Sequence, residues 1–142
     1  MSDLRDCTQE AEIAACFPLM RQLRPQLADA EELVARWRRQ SADGYRVLAV
    51  WPDDRPVALA GWRLSENLIY GPFLYVDDLV TDEAARGQGH GARLLEHLRS
   101  MAREAGCVRL VLDTALDNVL GHRFYYRNGL LARGLRFGIP VA

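Results

Sequence analysis

Apolar and polar positions follow two rhythms along the chain, and the points where the rhythm changes mark its elements. Residues 2–8 suit a short opening strand. From Glu10 the apolar residues Ile13, Phe17, Met20 and Leu23 recur at helical spacing, with Pro18 as a disturbance among them. Asp29 and Glu32 form an Asp-x-x-Glu cap ahead of Leu33, Val34 and Trp37, which predicts a second helix closed by Gly44. Then the period shortens. Tyr45–Trp51 is an apolar run of strand length, ended by the turn Pro52-Asp53-Asp54-Arg55-Pro56, and Val57–Leu64 returns as the second arm of a hairpin. A loop with Gly71-Pro72 leads to a third strand, Phe73–Thr81. Leu94, Leu95, Leu98, Met101, Ala102 and Ala105 share one face of a long helix that Gly106 stops. Val108–Leu112 reads as a buried strand, Asp117 as the cap of a last helix reaching Asn128-Gly129, and Leu130–Val141 as a closing strand.

The order β-α-α-β-β-β-α-β-α-β predicts an α/β (α+β) fold. A mostly antiparallel first half is followed by a βαβ unit, giving a mixed sheet of about six strands with four helices on both faces. The crossover from Phe73–Thr81 to Val108–Leu112 should be right-handed. The 142 residues suit a single domain, 1–142.

Composition narrows the chemistry. All eighteen basic residues are arginine, so there is no P-loop lysine and no lysine nucleophile. A net charge of -1 leaves no electrostatic footprint for nucleic acid. No apolar stretch approaches the ~20 residues of a membrane span, and the first residues lack the basic-then-apolar pattern of a signal peptide, so a cytoplasmic location is expected by default. Cys7, Cys16 and Cys107 match no metal or redox spacing and read as free thiols. His90, His97 and His122 form no metal constellation, and no metal is expected.

The most informative segment is Leu79-Val80-Thr81-Asp82-Glu83-Ala84-Ala85-Arg86-Gly87-Gln88-Gly89-His90-Gly91. A strand runs into a loop with three glycines in five positions, and the loop opens an amphipathic helix. Backbone N–H groups in such a turn converge on an anion, and the helix dipole adds positive potential. A tight turn needing positive φ produces the same composition. The alternating glycines are not the dinucleotide fingerprint.

Arg86-Gly87-Gln88-Gly89-His90-Gly91 resembles the R/Q-x-x-G-x-G/A signature of the GCN5-related N-acetyltransferases (GNAT). Asp77-Asp78-Leu79-Val80-Thr81 is similar to the fourth strand that precedes this loop in that family, with Thr81 where valine is common. Downstream, Leu112-Asp113, Asn118 and Phe124-Tyr125, with Gly129-Leu130 after them, resemble the family's fifth strand and fourth helix. The resemblance covers residues 45–142 specifically and the first 44 by element order alone. It implies a sheet splayed between strands 4 and 5 with acetyl-CoA between them as co-substrate. Leu79, Val80 and Thr81 would pair with the pantetheine arm, and Arg86, Gly87, Gln88, Gly89, His90 and Gly91 would hold the pyrophosphate. A backbone N–H near Val80 would polarise the thioester carbonyl.

In the implied reaction a neutral amine attacks directly and Tyr125 acts as general acid toward the departing thiolate. Tyr126, one residue on, points about 100° around the helix. Asp78 and Asp113 are candidate bases, with turn or solvated carboxylates as the plain reading and ordered water as the other proton acceptor. Adjacent strand residues face opposite sides, so at most one of Asp77 and Asp78 should enter a given cleft. Asn118 either contacts the cofactor or caps its helix. Met20–Gln40 and the loop Ser65–Gly71 should select the acceptor, a small-molecule or peptide amine. Arg21 and Arg24 would attract an anionic one, and Glu66, Asp77 and Asp78 a cationic one. A non-catalytic acyl-CoA-binding module is the competing reading, and a glycine-loop nucleotide binder a third. The closing strand would leave an open sheet edge, which predicts a homodimer that covers it.

Overall fold

A computed structural model describes residues 3–142, so Met1 and Ser2, the latter the start of the expected opening strand, lie outside the described residues. The elements are β1 Leu4–Asp6, α1 Glu10–Ala15, α2 Phe17–Leu23, α3 Ala30–Ser41, β2 Arg46–Val50, β3 Ala58–Asn67, β4 Gly71–Thr81, a 3-10 turn Glu83–Ala85, α4 His90–Glu104, β5 Leu110–Leu112 and α5 Val119–Arg127. The strands form one sheet in the order β1-β2-β3-β4-β5. Its first three junctions are antiparallel. The α4 crossover then brings β5 alongside β4 and makes the sheet mixed. The Leu74 N–H donates to the Arg109 carbonyl at 3.0 Å and the Val108 N–H to the Pro72 carbonyl at 3.3 Å. These bonds lie at the start of β4, whereas Leu79–Thr81, which leads into the glycine loop, is laddered to β3.

The chain divides into two compact units, one ending at Val111 and the other Leu112–Ala142. In the first, alternation sorts each strand between two helical layers. Val47, Ala49 and Leu59 pack with Ile13, Cys16, Leu19, Met20, Leu33 and Val34 of α1–α3. The intervening Leu48, Ala60 and Leu74 are buried on the other face, where α4 packs through Leu94 and Leu98. Each fully buried leucine contributes roughly 1.5–3 kcal/mol. The second unit consists of the end of β5, α5 and the segment that follows it, and α5 has no buried residue.

Four local expectations are corrected. The helical run from Glu10 to Leu23 is two helices meeting at Cys16, because Pro18 sits in the first turn of α2, where its missing N–H costs nothing. The loop Ser65–Gly71 is mostly strand. Asn67 Oδ1 accepts the N–H groups of Ile69 (3.1 Å) and Tyr70 (2.8 Å), which closes β3 and β4 into a tight hairpin. The cap of α5 is Asn118 rather than Asp117. Finally, Leu130–Val141 forms no strand, so among the described residues the sheet has five strands instead of about six. A strand exists only as one member of a ladder, and alternation by itself supplies no partner. Among the described residues no helix is long and apolar enough to cross a membrane.

Candidate active site

The first unit builds its site on the second half of β4. Gly61 pairs with Asp78 but Trp62 with Val76, so Asp77 is an extra residue, a β-bulge. The bulge interrupts the alternation that would set Asp77 and Asp78 on opposite faces, and both take part in one cluster of charged and phenolic groups. Arg63 donates to Asp77 from Nε (3.0 Å) and Nη2 (2.9 Å). Its guanidinium carbon also stands 5.3 Å from the centre of the Tyr45 ring. The Tyr45 hydroxyl donates to Asp78 Oδ2 at 2.7 Å, and Arg24 Nε donates to Asp78 Oδ1 at 2.9 Å. Arg24 Nη2 also reaches the Asp77 carbonyl oxygen at 2.8 Å.

Gly61 makes this arrangement possible. A Cβ there would fall 2.1 Å from Tyr45 Oη and 2.6 Å from Asp78 Oδ2. Burial, and then the negative charge of Asp78, hold the Tyr45 phenol well above its usual range, so it acts as a donor. Of the charges expected to attract an acceptor, Arg24 is committed to Asp78, and Asp77 to Arg63.

Beyond the bulge, Leu79, Val80 and Thr81 pair with Ala60, Leu59 and Ala58. Asp82 then turns the chain, accepting the Ala84 N–H at 3.1 Å and Arg55 Nη1 at 2.8 Å. The Arg55 hydrogen bond holds its carboxyl below the usual range. Arg86, Gly87, Gln88 and Gly89 are exposed. Gly87 and Gly89 have φ of +81° and +82° with open space where a Cβ would stand, so glycine is needed there for the backbone and not for room. His90 begins α4 and Gly91 lies in its first turn; no side chain caps this helix. Its first N–H groups thus point outward under the positive end of the helix dipole. Arg93, one turn in, is paired with Asp3.

The second unit carries the remaining candidates. Asp113 follows β5 and accepts from Arg136 Nη1 at 3.4 Å. Asn118 caps α5, accepting the Gly121 N–H at 3.2 Å while its Nδ2 donates to Thr114 Oγ1 at 2.9 Å. A Cβ on Gly121 would lie 2.3 Å from that Nδ2, so the cap requires glycine three residues on. Tyr125 packs edge-on against Phe124, with ring centres 5.5 Å apart. Burial raises its phenol above the ordinary value, leaving a protonated donor at neutral pH. Tyr126 is exposed.

The structure thus brings Asp78, Leu79, Val80, Thr81 and Arg86 through Gly91 onto one strand–loop–helix, and Asp113, Asn118 and Tyr125 onto one strand end and the helix after it. Tyr45, Gly61 and Arg63 escape sequence reasoning, and Arg24, expected to attract an anionic acceptor, holds Asp78 instead. Their partners are 14 to 54 residues away, and only the doubled aspartate in an apolar strand hints at a bulge. Cys7, Cys16 and Cys107 are free thiols, the first two buried. No group of three His, Cys, Asp or Glu suited to a metal occurs among the described residues.

A sequence model of the acetyltransferase (GNAT) family matches residues 9–130. An uncharacterised N-acetyltransferase of Bacillus subtilis (strain 168), YhdJ, is 30% identical over 143 residues, covering 99% of this chain and all of that one. Glucosamine 6-phosphate N-acetyltransferase 1 of Oryza sativa subsp. japonica is 30% identical over 128 residues, 85% of this chain and 76% of its own length. Among solved structures, the aminoglycoside N-acetyltransferase AAC(6')-Iy in complex with CoA superposes with a TM-score of 0.85 at 15% identity, over 99% of this chain and 95% of that one. At that identity the likeness concerns the fold.

Proposed function

Because the chain belongs to the acetyltransferase (GNAT) family, we propose that it transfers the acetyl group of acetyl-CoA to the primary amine of a small molecule, acting as one N-acetyltransferase domain. The observation that carries this reading is the β4–α4 junction: two left-handed glycines, an exposed Arg86 and an uncapped helix N-terminus in direct sequence. Backbone amides from Arg86 to Gly91 would hold the pyrophosphate without a lysine, as oriented N–H groups favour anions. Leu79, Val80 and Thr81 would pair with the pantetheine arm in the manner of an added strand. A backbone N–H near Val80 would stabilise the oxyanion as the amine attacks.

Tyr125 would give its proton to the leaving thiolate, its phenol being protonated at neutral pH as that role requires. The hydrogen bonds on both oxygens of Asp78 favour a positioning role for it. We therefore assign the amine's proton to water or to Asp113. Asn118 would set the start of α5. The acceptor named for the rice relative makes amino sugars the first class to test. We further propose that the enzyme works in the cytoplasm, where its three free thiols stay reduced, and as a homodimer.

The test is thiol release from acetyl-CoA across a panel of amines that includes glucosamine 6-phosphate. Turnover is expected with at least one amine, and Tyr125→Phe should slow it on the order of 10²-fold with little change in CoA affinity. CoA binding without turnover on any amine would favour the non-catalytic module. A Tyr125→Phe variant as fast as the parent would remove the general acid.

A further inference from the structure

Helix α2 and the residue that ends it are bonded to β4 and its exit at two points that bracket one short segment. Arg24 Nε donates to Asp78 Oδ1 at 2.9 Å and its Nη2 to the Asp77 carbonyl oxygen at 2.8 Å, so one guanidinium holds a side chain and the bulge's own backbone. Two residues earlier, Gln22 Oε1 accepts the Glu83 N–H at 3.2 Å and its Nε2 donates to Asp82 Oδ1 at 3.4 Å. Between these ties lie Leu79, Val80 and Thr81, roughly 10 Å of extended chain. Val80, at the centre, is buried in the same cluster as Leu19 and Met20 of α2. The segment is thus held at both ends by polar bonds and in the middle by packing, all from one short helix and its C-terminal cap. Stability does not call for such ties. The Arg24 side chain is 40% exposed, and an ion pair that open to water adds little to folding. The Gln22 bonds are exposed as well.

We propose that Arg24 and Gln22 are positioning residues for acetyl transfer, fixing the backbone of Leu79–Thr81 so that the N–H near Val80 is aimed at the thioester oxygen. This rests on the acetyl-CoA reading above and names the side chains that keep its oxyanion donor in line. Neither residue touches the reacting atoms; both act through the strand. Pairing with β3 sets the register of the segment. A bulge directly ahead of it loosens that hold, because the extra residue has no partner across the ladder. Asp77 is that residue, and Arg24 supplies its carbonyl with the donor the ladder does not. The far end has left the ladder by Glu83, and there Gln22 bonds the backbone N–H. A donor aimed at an oxyanion works only in alignment, and a misplacement of about 1 Å can cost on the order of 10²-fold in rate. Arg24 therefore serves the reaction through geometry, in place of the attraction for an anionic acceptor expected of it.

The test uses the full chain and two readings. Without substrates, amide hydrogen exchange across residues 77–83 should be faster in Arg24→Met than in the parent, with β2 unchanged. In thiol release, kcat per CoA-binding molecule, counted by calorimetric titration, should fall on the order of tenfold or more. KM for acetyl-CoA and for the amine should stay within about threefold, since the glycine-loop amides are untouched and the loss falls on the transition state. Arg24→Lys keeps the charge and should recover part of kcat, and Gln22→Met should lose less than Arg24→Met. A merely structural role would lower the number of CoA-binding molecules and leave kcat per molecule as it was. Parental exchange across 77–83, or a parental kcat, in Arg24→Met overturns the proposal. So does a raised KM for the amine at unchanged kcat, which would return Arg24 to acceptor binding. If Arg24→Met does not fold, Arg24→Lys and Gln22→Met decide by the same two readings. A parent that binds CoA and turns over no amine overturns acetyl transfer and this use of the strand together. Faster exchange across 77–83 would then separate the failed reaction from the contacts that hold the strand.

Discussion

In the first unit, Asp78 stands on a strand whose neighbours Leu74, Val76 and Val80 are buried, and its carboxylate is gripped by Arg24 and Tyr45 from distant elements. In the second unit Tyr125 stands on a helix without a buried residue, and Asn118 holds the start of that helix through bonds to Thr114 and Gly121 only three or four residues away. Long-range packing positions Asp78, and short-range capping holds the start of the helix that carries Tyr125. The difference teaches where each set is vulnerable: the first should fail through its core, the second through its caps.

The largest effect expected from this contrast comes from paired leucine truncations. Leu94→Ala removes a fully buried side chain and should cost about 3 kcal/mol in urea unfolding. Leu120→Ala, on the exposed surface of α5, should cost less than about 0.5 kcal/mol. Equal costs would erase the distinction between the units. A smaller effect should follow from Gly61→Ala, whose new methyl must displace the Tyr45 hydroxyl and Asp78 together. A loss of about 1–3 kcal/mol is expected, and the double variant Gly61→Ala/Tyr45→Phe should recover part of it. Smallest is the cap. Asn118→Ala should cost about 1 kcal/mol, seen as faster amide hydrogen exchange in Val119–Arg127 with no change in β2 or β3.

Much of this was legible in the sequence wherever the cause is local. Asp29 does cap its helix, accepting the Glu32 N–H at 2.8 Å. Gly44, Gly106 and Gly129 adopt the positive φ expected of chain stops. The strand, glycine loop and helix around residues 79–91 form where the pattern put them. The misses share one physical origin, dependence on a partner that sequence spacing does not reveal. Asp77 and Asp78 were expected on opposite faces because alternation is a property of a regular ladder, and the bulge exists only in the pairing with β3. Leu130–Val141 has the right alternation for a strand, but alternation specifies a face to bury and supplies no neighbour. Asp117 and Asn118 are both good capping residues; Asn118 takes the role because its amide satisfies Gly121 and Thr114 at once.

The loop that joins β4 to α4 is the proposed acetyl-CoA site, and calorimetric titration with CoA tests it most directly. The parent protein should bind CoA, and Gly89→Val should weaken binding at least about tenfold, since a left-handed φ costs a β-branched residue roughly 1–2 kcal/mol and turns the amides away from their common target. The circular dichroism spectrum should be unchanged. A parent that does not bind CoA, or a Gly89→Val variant that binds it as tightly as the parent, would contradict the assignment of this loop as the acetyl-CoA site.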